Sequence, residues 1–389
     1  MSDLASYSLQ TIGLAALALV YFSRSKKINT YSLGLVMFWT IGVIFIYSRY
    51  GANQVQFYSN DQAFHQQIVE IYLPKEGINL RSFITLRYII TLPVFFLSSF
   101  GINIALAFKF MQLISALLIV HHSRFVLLSF GITIKNWMYV YIAGPLLVFM
   151  SLFALRDIHL ALFALLFIFP KNTWNRYLAL LVIAMLRPHL AAALLFGFVA
   201  GSLISVLKPK LLVLGHALLL LISYVFGALS FSIGDYVMND GELDIASTIF
   251  SIKNSTQVAL NTIGLQFLIL DAEKAGVVAA STLLLLSARL IFIDSFLNPL
   301  TFFYFCTKPM RIVKRETLQI SSALFFFYGL ILQNVIITNS TRQNLPFITV
   351  MGLIAVIRLY ESQDEEVQLC LPTTVRISTT PDFHRLRHF

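Results

Sequence analysis

Long apolar runs, broken at short intervals by a few polar or basic residues, recur along the chain from residue 7 to residue 359. No polar stretch between them reaches domain size. Crossing the hydrocarbon core takes about 20 helical residues, and fewer where protein surrounds the segment or the bilayer thins. On that measure the runs 7–23, 31–48, 84–100, 102–121, 124–135, 138–154, 158–169, 177–187, 190–206, 211–231, one within 276–306, 320–338 and 345–359 predict membrane spans. The expected fold is an all-α polytopic integral membrane protein of about 11–13 transmembrane helices. Segments 124–135, 158–169 and 177–187 are short for independent spans, so they are either half-helices around a cavity or wrongly divided. Arg289 splits the apolar stretch 276–306, and 290–306 is favoured as its span. Residues 232–289 are then an outer loop with amphipathic, interfacial stretches.

Composition agrees with this reading. Of 389 residues, 58% are hydrophobic and 12% charged, against roughly 25% charged in soluble domains. The mean hydropathy is +0.80. A net charge of +10 raises nucleic acid as a partner, but Lys and Arg lie in short clusters between apolar runs, which is the pattern of cytoplasmic loops. The partner implied is the lipid bilayer, not nucleic acid. The two cysteines, Cys306 and Cys370, form neither a disulfide framework nor a metal spacing. The first apolar run has its positive charges after it and no basic region before it, so a cleaved signal peptide is not expected. No phosphate-binding loop, dinucleotide fingerprint or HExxH motif is present.

Placing the basic clusters 23–27, Lys135, 170–176, 208–210, 308–315 and the tail from Arg358 on the cytoplasmic side puts the N-terminus outside. Residues 1–360 then form one transmembrane domain, with outer loops 49–83 and 232–289, and 361–389 form a cytoplasmic tail. The remaining charges sort to the outer face or outer leaflet: Asp61, His65 and Glu70; Arg156, Asp157 and His159; Arg187 and His189; Arg342. A charge at depth costs about 2.5 kcal/mol or more, so such residues need a partner or a function. Arginine's planar fork pairs two phosphate oxygens at once. A carboxylate facing several arginines therefore suits a reaction on a membrane-held phosphate or diphosphate, with the carboxylate as general base.

"FYSNDQAFH" (57–65), following a predicted span, resembles the first outer loop of the GT-C superfamily of membrane glycosyltransferases. "GPLLVFMSLFALRDIHLALFALLFIF", a basic turn and "YLALLVIAMLRPHLAAALLF" resemble the middle of bacterial repeat-unit polymerases for O-antigen and exopolysaccharide. "TRQNLPFITVMGLIAVI" is similar to their penultimate outer loop and last span. The resemblance implies a cavity at the extracytoplasmic face of a bacterial cytoplasmic (inner) membrane. It implies polyprenyl-linked glycan donor and acceptor as substrates and a chain-length regulator protein as a candidate partner. Carried over residue by residue, it makes Asp61 the candidate base or acceptor-orienting group and Arg156, Arg187 and Arg342 the binders of the lipid-linked phosphate; the charges in and near the apolar runs add Asp157 and His65 as catalytic candidates and Arg289 and His189 as phosphate-binding ones. Asn60 stands before a single Asp61, so no carboxylate pair is there to hold a divalent metal, and no cofactor is implied.

Each assignment has a plainer alternative. Asp61 could be a solvated helix cap, and Arg156 and Asp157 could have structural partners on neighbouring spans. Arg187, before Pro188, could close a helix break. His159 and His189 are more often satisfied polar residues between helices than bases. His121 and His122 with Arg124 read as an interfacial turn, and Lys109 as a snorkelling side chain or one paired with an acid. A transporter or flippase of an anionic lipid-linked solute is the alternative function, and a membrane acyltransferase a more distant one. No internal repeat of the transporter kind is visible.

Overall fold

The computed structural model describes residues 3–24, 29–51, 64–78, 87–153, 156–188, 190–192, 194, 195 and, near the C-terminus, 345, 346, 349, 350, 352–354, 356, 357 and 360. All regular structure among the described residues is helical. The helices are α1 (Asp3–Arg24), α2 (Thr30–Tyr50), the short α3 (Leu73–Glu76), α4 (Tyr88–Ser99), α5 (Ile104–Ser129), α6 (Asn136–Met150), α7 (Asp157–Ile168) and α8 (Thr173–Leu186). Three of them, α1, α2 and α5, are long and apolar enough to cross a membrane.

Local chemistry sets the ends. Asn29, Asn103 and Asn172 cap α2, α5 and α8, each side-chain oxygen accepting from the backbone N–H three residues on, as N-caps do. α5 stops where Gly131 takes φ +72°. There the Ile132 N–H reaches Leu127 O and the Gly131 N–H reaches Leu128 O, the left-handed glycine closure of a helix end.

α5 is the central element. It packs against α1, α2, α4, α6 and α7, and 72% of its most apolar window is buried against 28% and 33% for α1 and α2. Leu9, Ile12 and Leu17 of α1 and Met37, Ile41 and Phe45 of α2 stay exposed, as expected for lipid-facing positions of a membrane helix pair. Tyr7 stacks on Tyr47 with ring centroids 3.8 Å apart, joining the start of α1 to the end of α2. Trp39 donates from Nε1 to Ser151 O at 3.1 Å, so the end of α6 reaches the middle of α2. The described residues between 345 and 357 are helical and lie in the same core.

Three of the expected spans are corrected. Segments 102–121 and 124–135 are not separate: α5 runs unbroken for 26 residues, about 39 Å. The cluster His121, His122, Arg124 is not a turn, because His122 and Ser123 are buried in the bundle and His122 Nε2 bonds Phe169 O at 2.8 Å. Polarity there satisfies a neighbouring helix instead of ending its own. Segment 84–100 is not a crossing. α4 has 12 residues, about 18 Å, and both its flanks stay at the end of the bundle that holds the start of α1. Gln10 donates to Gly101 O and accepts from the Asn103 N–H, and Gln66, Glu70, Ser98 and Asn103 line one cleft with Tyr47.

The opposite end collects cations. Arg24 ends α1, and Asn29, Arg124 and Asn136 line a common cleft next to Lys135. Lys171 sits over the Phe125 ring at 5.6 Å. Lys135 is thus at the end where α1 returns into α2, as its place among the basic clusters predicts. The segments 7–23, 31–48, 138–154, 158–169 and 177–187 are helical over most of their length. The expected spans 211–231, 290–306 and 320–338, the loop 232–289 and the tail 361–389 lie outside the described residues, as does most of 190–206.

Candidate functional site

α7 and α8 form an antiparallel hairpin closed at 170–172. Arg176 Nε donates to Phe167 O at 3.2 Å near the closed end, and the open end brings Arg156, Asp157, Leu186 and Arg187 together. With 12 and 14 residues, about 18 and 21 Å, neither helix spans the roughly 30 Å hydrocarbon core. Their open end therefore meets inside the bundle. Its depth is given by His159, whose partners Gln112 and Ser115 are on α5; Gln112 lies eight residues, about 12 Å, from the start of that helix.

Sequence explains the break. Pro188 has no N–H and biases Arg187 away from helix, and Arg187 is extended, with φ −156° and ψ 84°. Its own N–H still reaches Ile183 O, and its carbonyl starts a new helical turn by accepting from the Leu190 and Ala191 N–H groups. Arg156, half-buried, donates from Nη1 to Leu186 O at 2.9 Å, placing a cation on the carbonyl end of α8 where the helix dipole favours it. Arg187 Nη1 lies 3.9 Å from Asp157 Oδ1, and each side chain is 2% exposed. Asp157 in turn occupies the first turn of α7, the end that favours a carboxylate. Two guanidinium groups and one carboxylate thus meet in this junction.

Beside it runs a polar face of α5. Lys109, Gln112, Ser115, His122 and Ser123 are all buried, and at 100° per residue they share an arc of about 140°. Gln112 Nε2 lies 2.9 Å from His159 Nε2 and Ser115 Oγ 2.7 Å from His159 Nδ1. With the amide donating to Nε2, the ring proton sits on Nδ1 and donates to the serine oxygen. Both ring nitrogens are thereby satisfied, which fits the structural reading of His159. Lys109 is 1% exposed, so it does not snorkel to an interface.

His65 is fully buried. Its Nε2 accepts from Arg87 Nη1 at 2.6 Å, and its ring stacks on Phe108 of α5 with centroids 5.7 Å apart. Arg87 also sits over the Phe64 ring at 5.2 Å and adopts φ +51° at the start of α4. His65 thus ties the 64–76 segment to α4 and α5, one residue from Lys109, instead of standing in an open loop. Arg87, Gln112 and Ser115 were not singled out from the sequence; polar residues spaced by three from Lys109 in an otherwise apolar run are the signal that marks the row.

Of the sequence-predicted residues, the fold brings Arg156, Asp157 and Arg187 together and sets His65 apart, against Arg87. Asp61, Arg289, Arg342 and His189 lie outside the described residues. Among the described residues no three His, Cys, Asp or Glu side chains gather as a metal site. No protein-family model, no curated protein and no solved structure matches the chain.

Proposed function

We propose that the protein is a membrane glycosyltransferase, a polysaccharide polymerase joining polyprenyl-diphosphate-linked oligosaccharide repeat units at the outer face of the bacterial cytoplasmic membrane. The observation that carries this reading is the buried junction of Arg156, Asp157 and Arg187 at the meeting ends of two helices too short to span. Charges at such depth mark ligand or ion sites in membrane proteins. An anionic diphosphate would find two guanidinium forks there. Asp157 then either orients an acceptor hydroxyl or holds Arg187 ready for the phosphate, while Asp61 is the sequence-based candidate for the base. The gathering of Arg24, Arg124, Lys135 and Lys171 at one end supports a cytoplasmic orientation of that end and an outward orientation of the other.

One observation favours the transporter reading. Half-helices meeting at depth around charged residues are also how secondary transporters build substrate sites, and the junction lies about 12 Å below the start of α5 instead of at its rim. The two readings separate in the native host. A deletion strain complemented with wild type, Arg187→Lys or Asp61→Asn at equal membrane abundance is scored for its surface-polysaccharide ladder. The polymerase reading expects single repeat units without a ladder in the deletion strain and a strong loss with either variant. A full ladder in the deletion strain overturns it.

A further inference from the structure

A second site lies at the end of the bundle opposite the basic clusters. A cleft of about 570 Å³ opens between α1, α2, the 64–76 segment and the α4–α5 turn, lined among others by Gln10, Tyr47, Gln66, Glu70, Ser98 and Asn103. Among the described residues its lining is mostly amide, carboxylate and hydroxyl, without a lysine or arginine. Groups that both donate and accept match hydroxyls, which do the same, whereas an anionic ligand would meet the Glu70 carboxylate among the described lining residues.

The cleft is built, not loose. Gln10 spends its amide on Gly101 O and the Asn103 N–H, Asn103 Oδ1 caps α5, and Tyr47 is held by its stack on Tyr7. That frame leaves Gln66 and Glu70 as the side chains facing a ligand from the 64–76 segment. Within this segment Ile68–Tyr72 forms a π-turn. Such turns sit inside helices frequently at functional sites, because the wider i→i+5 winding is poorer for the helix itself and re-aims its side chains. Glu70 lies within the π-turn and Gln66 one turn before it, both on the cleft.

We propose that this cleft binds a neutral, polyhydroxylated ligand, a glycan, with Gln66 and Glu70 as its hydrogen-bonding residues. It rests on the glycosyltransferase reading only for its role: the cleft begins about 12 Å along α5 from the level of the arginine junction, so one lipid-linked substrate could place its diphosphate in the deeper site and its sugars in the shallower.

The test uses the full-length protein in detergent micelles and saturation-transfer NMR with lactose, maltose and N,N′-diacetylchitobiose as probes. Transfer to at least one probe is expected, reduced about fivefold or more in Gln66→Ala and Glu70→Ala with unchanged melting temperature, and retained in Arg187→Lys. No transfer to any probe, or equal transfer in both cleft variants, overturns the glycan site. A glycan signal that vanishes in the cleft variants, together with an intact ladder in the deletion strain, keeps the site and removes the polymerase role.

Discussion

Replacing Asp157 by Asn removes one charge from the buried junction with little change of shape. At 3.9 Å and an effective dielectric of about 20, the Asp157–Arg187 attraction is about 4 kcal/mol. Desolvation of both groups offsets most of that in the intact pair, but removing one partner leaves the other buried and uncompensated, at about 3–5 kcal/mol. The separation exceeds the roughly 2.7–2.9 Å of a charge-assisted hydrogen bond, so the lower end, about 3 kcal/mol, is expected for Asp157→Asn, and a similar loss for Arg187→Gln. The double variant removes both charges and should lose less than either single variant, well below the sum of about 6 kcal/mol. Unfolding by SDS in mixed micelles, followed by far-UV circular dichroism and tryptophan fluorescence, measures all four corners of this cycle. Strictly additive losses, or single losses below about 1 kcal/mol, would refute the buried pair. Activity in the double variant then separates roles: a folded but inactive protein assigns the junction to substrate, and a folded, active one assigns it to the helix break alone.

Other outcomes follow from particular contacts. His159→Leu takes one partner from the Gln112 amide and one from the Ser115 hydroxyl and should destabilise by about 1–3 kcal/mol, while Gln112→Leu added to it should recover part of the loss in the same titration. A Cβ on Gly42 would stand 2.8 Å from Leu152 Cδ2, the movable end of a side chain, so the crowding in Gly42→Ala should be largely offset by the gain of about 1 kcal/mol of Ala over Gly within α2, leaving the melting temperature nearly unchanged. In a background with Cys306 and Cys370 changed to Ser, a cysteine at Gly101 should react with an impermeant maleimide from the side that labels Lys75→Cys. Cysteines at Lys135 and Lys171 should react only from the other; labelling of position 101 together with 135 would show that α4 crosses after all.

Hydropathy alone determined the class of this protein and most of its helices, because apolar length is a one-dimensional property. α1 and α2 read as spans from length and composition, while α5 read as two segments; the Asn caps and Gly131 bound these helices locally. Sequence also singled out Arg156, Asp157 and Arg187, since charges in an apolar run are conspicuous wherever they sit. What it could not decide is which face of a helix meets another helix and which meets water or lipid. The polar run at His121–Arg124 looks like a loop in one dimension, yet in the bundle His122 is satisfied by Phe169 O, so the helix continues. For the same reason the contacts that Gln112 and Ser115 make with His159, and Arg87 with His65, are not legible in the sequence. Depth too was a tertiary property: the charged ends of α7 and α8 sit inside the bundle because two short helices fold back against a long one. Burial, pairing and depth depend on neighbours distant in the chain, and only the packed helices bring those neighbours together.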